Sequence, residues 1–268
     1  MKNKIDTLRE WINECDNIVF FGGAGVSTES GVPDFRSKDG LYNQRDVRFE
    51  GYRPEYLLSH SCLINEPKVY FEFHRQKMDT RSIEPNFAHK YLAELEKKGK
   101  LKAVVTQNID GLHQKAGSSR VYEIHGSALR NYCSKCGKVF PEDYIFNSEE
   151  DVPHCGCGGM IRPDITLYEE MLPDDAVSHA VDAISKAQML IIGGTSLTVY
   201  PAASYIHYFK GRYLVVINRD RLDISIPGTE TLVISDSIGA VCEEVAGNPA
   251  KVVKQTSPDR TTRAEREV

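Results

Sequence analysis

At 268 residues, with a formal net charge of −5, 41% hydrophobic and 26% charged residues, the chain has the balance of one large domain, or of a core domain carrying a smaller stapled module. No apolar run approaches the roughly 20 residues needed to cross a bilayer, the charged start 1–10 lacks a secretory signal, and no basic block offers a footprint for nucleic acid. Membrane and direct nucleic-acid partners are therefore excluded from the expectations. Four of the seven cysteines are bunched between 133 and 157, which reads as metal ligation in a reducing, cytoplasmic compartment rather than as a disulfide framework.

Residues 5–14 carry apolar positions at helical spacing and lead into Asn17-Ile18-Val19-Phe20-Phe21, a β-prone run that stops at Gly22-Gly23. The next stretch, Gly22-Gly23-Ala24-Gly25-Val26-Ser27-Thr28, reads as a strand-to-helix turn whose backbone can approach a pyrophosphate, met by the amides of the helix start. A bare tight turn is the alternative: Thr28 replaces the third fingerprint glycine, and no second strand with an acidic end follows, so a hydride-transferring dehydrogenase is not expected. Further apolar runs at 101–106, 189–192, 213–217 and 231–234, with helical periodicity at 87–97 and 174–187, alternate as in a doubly wound parallel α/β sheet of Rossmann type.

Two stretches break that alternation. Residues 41–82 are polar-aromatic with a helical character, and 126–162 hold the clustered cysteines; together they are expected to form a smaller domain. The dinucleotide-type domain would then comprise 1–40, 83–125 and 163–247, and the tail 248–268, with nothing to bury, is expected to be disordered. Within the small domain, Cys133-x2-Cys136 followed by Cys155-x-Cys157 resembles a zinc ribbon. Four thiolates close a tetrahedral shell and leave no position for water, so the zinc would be structural, with His154 as an alternative ligand beside the shortened second pair.

Polar residues gather where predicted strands end: Thr106-Gln107-Asn108-Ile109-Asp110, Gly193-Gly194-Thr195-Ser196 and Asn218. Each alone could be an ordinary cap or turn former, but three strand ends and a glycine turn at one sheet edge describe a ligand crevice. His125, between a β-prone run and the cysteine module, sits where a general base would stand at a domain junction.

Taken in order, Gly23-Ala24-Gly25-Val26-Ser27, Ser30-Gly31-Val32-Pro33-Asp34-Phe35-Arg36, Thr106 to His113, His125-Gly126-Ser127, the cysteine pairs, Arg162-Pro163-Asp164, Gly194-Thr195-Ser196-Leu197 and Asn218 resemble the motifs of the sirtuin family across about residues 10–247. The resemblance implies an NAD-dependent protein-lysine deacetylase acting on acetylated proteins, with NAD consumed as co-substrate and one structural zinc. In that chemistry the acyl oxygen attacks the nicotinamide ribose carbon, nicotinamide leaves, an ADP-ribosyl imidate forms, and O-acetyl-ADP-ribose and free lysine follow. The resemblance makes His125 the base and places Phe35 over the ribose. It gives Asn108 and Gln107 the ribose, and Asp110, Ile109 and Asp34 the nicotinamide pocket. Ala24, Ser27, Thr28, Arg36, Gly194, Thr195 and Ser196 would take the phosphates, and Asn218 the adenine-side ribose.

The chain departs from the pattern at Gly22, where the family commonly has a hydroxyl residue, and at Thr166-Leu167-Tyr168-Glu169-Glu170, where it usually has Val-x-Phe-Gly-Glu in the substrate clamp. Desuccinylating relatives grip their acyl group with a Tyr-x-x-Arg pair; Phe71-Glu72-Phe73-His74 stands there instead, so acetyl is expected over succinyl. A protein ADP-ribosyltransferase and a non-catalytic NAD or ADP-ribose sensor are the alternative readings, and a monomer is the expected state.

Overall fold

Strands that are apolar at every position persist in water only when both faces are covered, and the fold covers both. The computed structural model describes residues 3–44, 46–222 and 224–247. In chain order these form α1 (Lys4–Glu14), β1 (Ile18–Gly22), α2 (Pro54–Leu57), α3 (His60–Asn65), α4 (Pro67–Lys77), α5 (Phe87–Lys97), β2 (Leu101–Thr106), α6 (Leu112–Lys115), β3 (Val121–Glu123), β4 (Gly126–Cys133), β5 (Val139–Phe140), α7 (Tyr144–Asn147), β6 (Ile161–Ile165), α8 (Asp174–Lys186), β7 (Met189–Gly193), β8 (Tyr213–Ile217), β9 (Glu230–Ile234) and α9 (Ile238–Val245). The strands and helices expected between 83 and 247 lie within a residue or so of these bounds.

Six strands in the order β3-β2-β1-β7-β8-β9, parallel at every pairing, make the doubly wound sheet. Alternate residues feed opposite cores: Ile18, Phe20, Val104, Ile191 and Val215 pack with residues of α1, α5 and α9, whereas Val19, Phe21, Val105, Ile192 and Val216 pack with α8 and the 3-10 helix Ala202–Tyr208. The order reverses at β1, between β2 on one side and β7 on the other, and a crevice opens there at the carboxyl ends of the strands. Cys15 and Cys242 are buried in the first of these cores as small apolar groups.

In a second sheet β4 pairs antiparallel with β5 and β6, and its Ala128 and Cys133 pack with Ile161 and Ile165 against Cys62, Leu63, Tyr70 and Phe71 of α3 and α4. The boundary expected at 162 falls inside β6, whose pairing to β4 runs on to Ile165↔Gly126, so ladder hydrogen bonding carries 163–165 into the smaller sheet. The expectation for 248–268 lies outside the described residues. Among the described residues no helix is long and apolar enough to cross a membrane.

One local expectation is corrected. No α-helix follows the glycine turn; two single 3-10 turns, Ala24–Val26 and Thr28–Ser30, stand there, ended by Gly31 at φ +92. The reason is a tertiary contact: the Gly25 N–H donates to Gly194 O at 2.8 Å, across to the loop after β7. At Gly25 a Cβ would lie 2.8 Å from that same oxygen, and at Gly194, itself left-handed at φ +57, a Cβ would lie 2.6 Å from the Gly25 carbonyl carbon. The glycines thus let two backbones touch.

Gly194→Ala should lower stability by about 3 kcal/mol, the sum of left-handed strain and a backbone clash. Urea denaturation measures it; a loss under about 1 kcal/mol would show that the two loops can move apart at little cost.

Candidate active site

The crevice is a cavity of about 900 Å³, near the top of the roughly 300–1,000 Å³ range of small-molecule sites. Its wall holds residues from the ends of β1, β2, β7 and β8, the 31–42 loop, His125 and the 165–172 segment. Of the expected site residues, Ala24, Thr28, Asp34, Phe35, Arg36, Gln107, Asn108, Ile109, His125, Thr166, Leu167, Tyr168, Gly194, Thr195, Ser196 and Asn218 line it.

Ser27 and Asp110 do not, because the 3-10 turn after Gly23 points Ser27 inward. Both are buried behind the wall, where the Ser27 hydroxyl donates to Asp110 Oδ2 at 2.6 Å and accepts from Asn108 Nδ2 at 3.0 Å. Asp110 Oδ1 also accepts the Leu112 N–H. Burial pushes the Asp110 carboxyl up from its ordinary value, opposed by these hydrogen bonds. Behind Ser27 lie His89 and His113, both lowered by burial, His89 to about 4. The His89 Nδ1–H donates to Asn86 Oδ1, the oxygen that also caps α5. Through the Ser27 hydroxyl these buried groups hold Asn108 in place.

On the other side of Asn108, Gln107 Nε2 donates to Thr195 Oγ1 at 3.0 Å, tying the end of β2 to the loop after β7. The Gln107 carbonyl accepts from His125 Nδ1 at 2.9 Å. That bond fixes the neutral tautomer with its lone pair on Nε2, and burial lowers the imidazole below its ordinary value. His125 is therefore uncharged and basic at neutral pH.

The 166–170 segment forms the facing wall. The Tyr168 N–H donates to Leu58 O and the His60 N–H to Tyr168 O, each at 3.0 Å, so the segment adds a short parallel bridge to 58–60. Arg162 grips both oxygens of Glu170 at 2.6 and 2.9 Å, which holds that carboxyl down at about 2. Glu169, where the family pattern has glycine, adopts φ +76, a strained conformation offset by its carboxylate accepting both the N–H and the hydroxyl of Ser61. Phe71 and His74, at the desuccinylase positions, are fully buried and absent from the cavity; burial takes His74 to about 3, so it brings no charge.

Asp236, Ser237 and Ile238 also line the cavity and carry no recognised motif. They follow β9, so the strand-end rule that selected Asn218 would have found them. The start of α9 there is already capped: the Glu29 carboxylate accepts from the Gly239 N–H and the Ser237 hydroxyl. The helix start expected to meet a pyrophosphate is thus absent after β1, and the one present at this edge is occupied by a carboxylate.

Far from the cavity, the sulfur atoms of Cys133, Cys136, Cys155 and Cys157 lie within 4.8 Å of one another, with Cys133 to Cys157 at 3.5 Å and Cys136 to Cys155 at 3.8 Å. A tetrahedron of thiolates at a zinc–sulfur distance of about 2.3 Å has edges of about 3.8 Å. The donor set fits one closed, structural zinc site. His154 is not part of it: neither of its ring nitrogens joins the cluster of four sulfurs.

Residues 23–201 match the model of the Sir2 family. The chain is 53% identical to a protein of Clostridium acetobutylicum named NAD-dependent protein deacetylase, over 91% of this chain and 98% of that one. Among solved structures it resembles a mutant Sir2 homologue in complex with ADP-ribose, with a TM-score of 0.81, 34% identity, and coverage of 91% of this chain and 95% of that one. It also resembles a Sir2 protein with a peptide and NAD+, with a TM-score of 0.76, 34% identity, and coverage of 92% and 98%.

Zinc removal has a local signature. The sole tryptophan, Trp11 of α1, stacks on Tyr213 of β8 at 4.4 Å and so reports on the packing of the large sheet. Chelation should release one zinc per chain, expose four thiols and speed amide exchange in 126–165 before the Trp11 emission changes. Four thiols already reactive in the untreated protein would remove the metal from this site.

Proposed function

The chain belongs to the Sir2 family, and we propose that its crevice frees acetyl-lysine side chains of proteins at the expense of NAD, with His125 as the base. It is an NAD-dependent protein deacetylase, yielding nicotinamide and O-acetyl-ADP-ribose. The observation that carries the assignment of His125 is its bond to the Gln107 carbonyl, which leaves a neutral imidazole nitrogen free to accept a proton at a cavity shared by the ends of β1, β2, β7 and β8 and the 166–168 wall.

When bound, NAD supplies the electrophilic ribose carbon and a leaving group. The chain's contribution is orientation and exclusion of water. Asn108, braced by Ser27, and Gln107, braced by Thr195, present fixed amides to the ribose side of the cavity. Phe35 covers the same side, and with Ile109 it forms an apolar lid where positive charge must be shielded from water. Ala24, Thr28, Gly194 and Ser196 line the floor proposed for the phosphates, with Asn218 at the adenine end. Asp110 is proposed to act through Ser27 and Asn108 rather than by direct contact.

An extended acyl-lysine peptide is proposed to lie between the large sheet and the smaller body of 41–82 and 126–165, along Thr166, Leu167 and Tyr168. The neutral, buried Phe71 and His74 support acetyl over succinyl. A monomer in the reducing cytoplasm is the proposed setting, consistent with seven cysteines none of which forms a disulfide.

With an acetyl-lysine peptide and NAD, wild type should release nicotinamide and free lysine at equal rates, and His125→Ala should lose about 10²- to 10⁴-fold of both. Nicotinamide release with ADP-ribose fixed to protein and no lysine freed would move the assignment to a transferase; neither product would leave a sensor. The pH profile gives a second check. Because burial lowers the His125 pKa, the unprotonated base persists to lower pH than an ordinary imidazole allows, so the acid limb of kcat/KM should fall below about 6.5. An acid limb centred above 7 would point to a different base.

A further inference from the structure

We propose that Tyr168 is a positioning residue whose hydroxyl, through Arg36 and Tyr42, ties the 34–43 loop to the opposite wall of the cavity and thereby sets where Phe35 stands. The proposal deepens the deacetylase reading and rests on it only in giving that loop a co-substrate to cover.

The loop is a self-braced body. Asp34 Oδ1 accepts the Arg36 and Ser37 N–H groups, Asp34 O accepts the Leu41 N–H at 2.7 Å, and Phe35 O accepts the Tyr42 N–H at 2.9 Å. Asn43 Nδ2 closes it onto the Ser37 carbonyl at 2.6 Å. Gly40 is required at its centre, since a Cβ there would lie 2.6 Å from Asp34 Oδ1. Such a loop moves as one piece rather than unravelling.

Tyr168 stands on an equally rigid post, with its backbone bridged to 58–60 and its neighbours Glu169 and Glu170 held by Ser61 and Arg162. Between these two bodies, Arg36 Nη2 donates to the Tyr168 hydroxyl at 3.0 Å, and the Tyr168 and Tyr42 hydroxyls share a second bond of 3.0 Å. The Arg36 guanidinium also lies 5.6 Å from the Tyr42 ring centroid, and that ring meets Phe35 edge-on at 5.5 Å. Burial pushes the Tyr42 phenol up, so it stays protonated and able to share a proton with its neighbour. A phenylalanine at 168, the residue type of the family's usual clamp, would keep the ring and lose both bonds. Tyr168 is thus a feature of this chain, and it joins the segment expected to hold acyl-lysine to the loop expected to cover the ribose.

The test uses the full-length protein and Tyr168→Phe, Tyr42→Phe and the double variant. Without any ligand, amide exchange across 34–43 should be about three- to tenfold faster in Tyr168→Phe, the effect of losing two partly exposed hydrogen bonds that act as one tie. In turnover the KM for NAD should rise more than kcat falls, and nicotinamide release should exceed lysine release as water enters. The double variant should fall short of the sum of the singles, because both hydroxyls serve one tie. Exchange and KM for NAD equal to wild type in Tyr168→Phe would overturn the proposal. If wild type itself frees no lysine, the deacetylase reading fails while the ligand-free exchange still decides whether the tie exists.

Discussion

Backbone contact between the loops after β1 and β7 organises the site. The two strands are in register to their last residues, Gly22 opposite Gly193, so both loops leave the sheet at one height and either diverge or meet. They meet because Gly25 and Gly194 have no side chains, and the resulting Gly25 N–H to Gly194 O bond sets Thr195 over Gly23. From there Gln107 reaches Thr195 and, through its own carbonyl, His125. The proposed base is therefore oriented by a chain of contacts that begins with two glycines in different loops. Glycine is conserved in such turns in many nucleotide sites for phosphate approach; here the steric need is already set by protein against protein.

The charges follow the same plan. Behind the cavity wall burial disfavours the ionised forms of Asp110, raised, and of His89 and His113, lowered, and it lowers His125 in the wall itself. The fixed charges stand across the cavity and at its rim, where Arg162 and Glu170 brace the clamp and Arg36 spans to Tyr168. The hydrogen bonds that join Asp110 and Asn108 through the Ser27 hydroxyl make this buried group stiff.

This division explains what could be read in the sequence. The strands were legible because residues buried on both faces leave unbroken apolar runs such as Met189 to Ile192, and the zinc site because chelation imposes a short spacing on Cys133 and Cys136. The family resemblance supplied the roles. What stayed hidden was direction. Ser27 and Asp110 sit in motifs that lead one to expect contact with the cofactor, yet a 3-10 turn faces Ser27 inward, and no local pattern distinguishes that turn from a helix start. Likewise Tyr168 could be recognised as a departure from the usual clamp, but its bonds to Arg36 and Tyr42 span more than 120 residues of chain and exist only once both bodies are folded.

The remaining question is why an enzyme of this kind should hold a metal far from its chemistry, and the β4–β6 ladder answers it. At one end Cys133, one of the four cysteines that fit a zinc site, pairs with Ile161; at the other Gly126, the residue after His125, pairs with Ile165, the residue before the 166–170 segment. Gly126 is left-handed at φ +75 and lies so close to the Asp164 carbonyl that a Cβ would collide with it, which is how the chain turns sharply from the base into the ladder. The Thr166 N–H then donates to His125 O at 2.9 Å, joining base and clamp directly. The ladder follows the five residues of β6, about 16 Å, with β4 irregular between Ser127 and Asn131, so the metal acts on the site through two paired strands rather than through its field. Clamping one end of that ladder limits how far its other end can splay, and the other end carries both the proposed base and the wall proposed to receive the substrate.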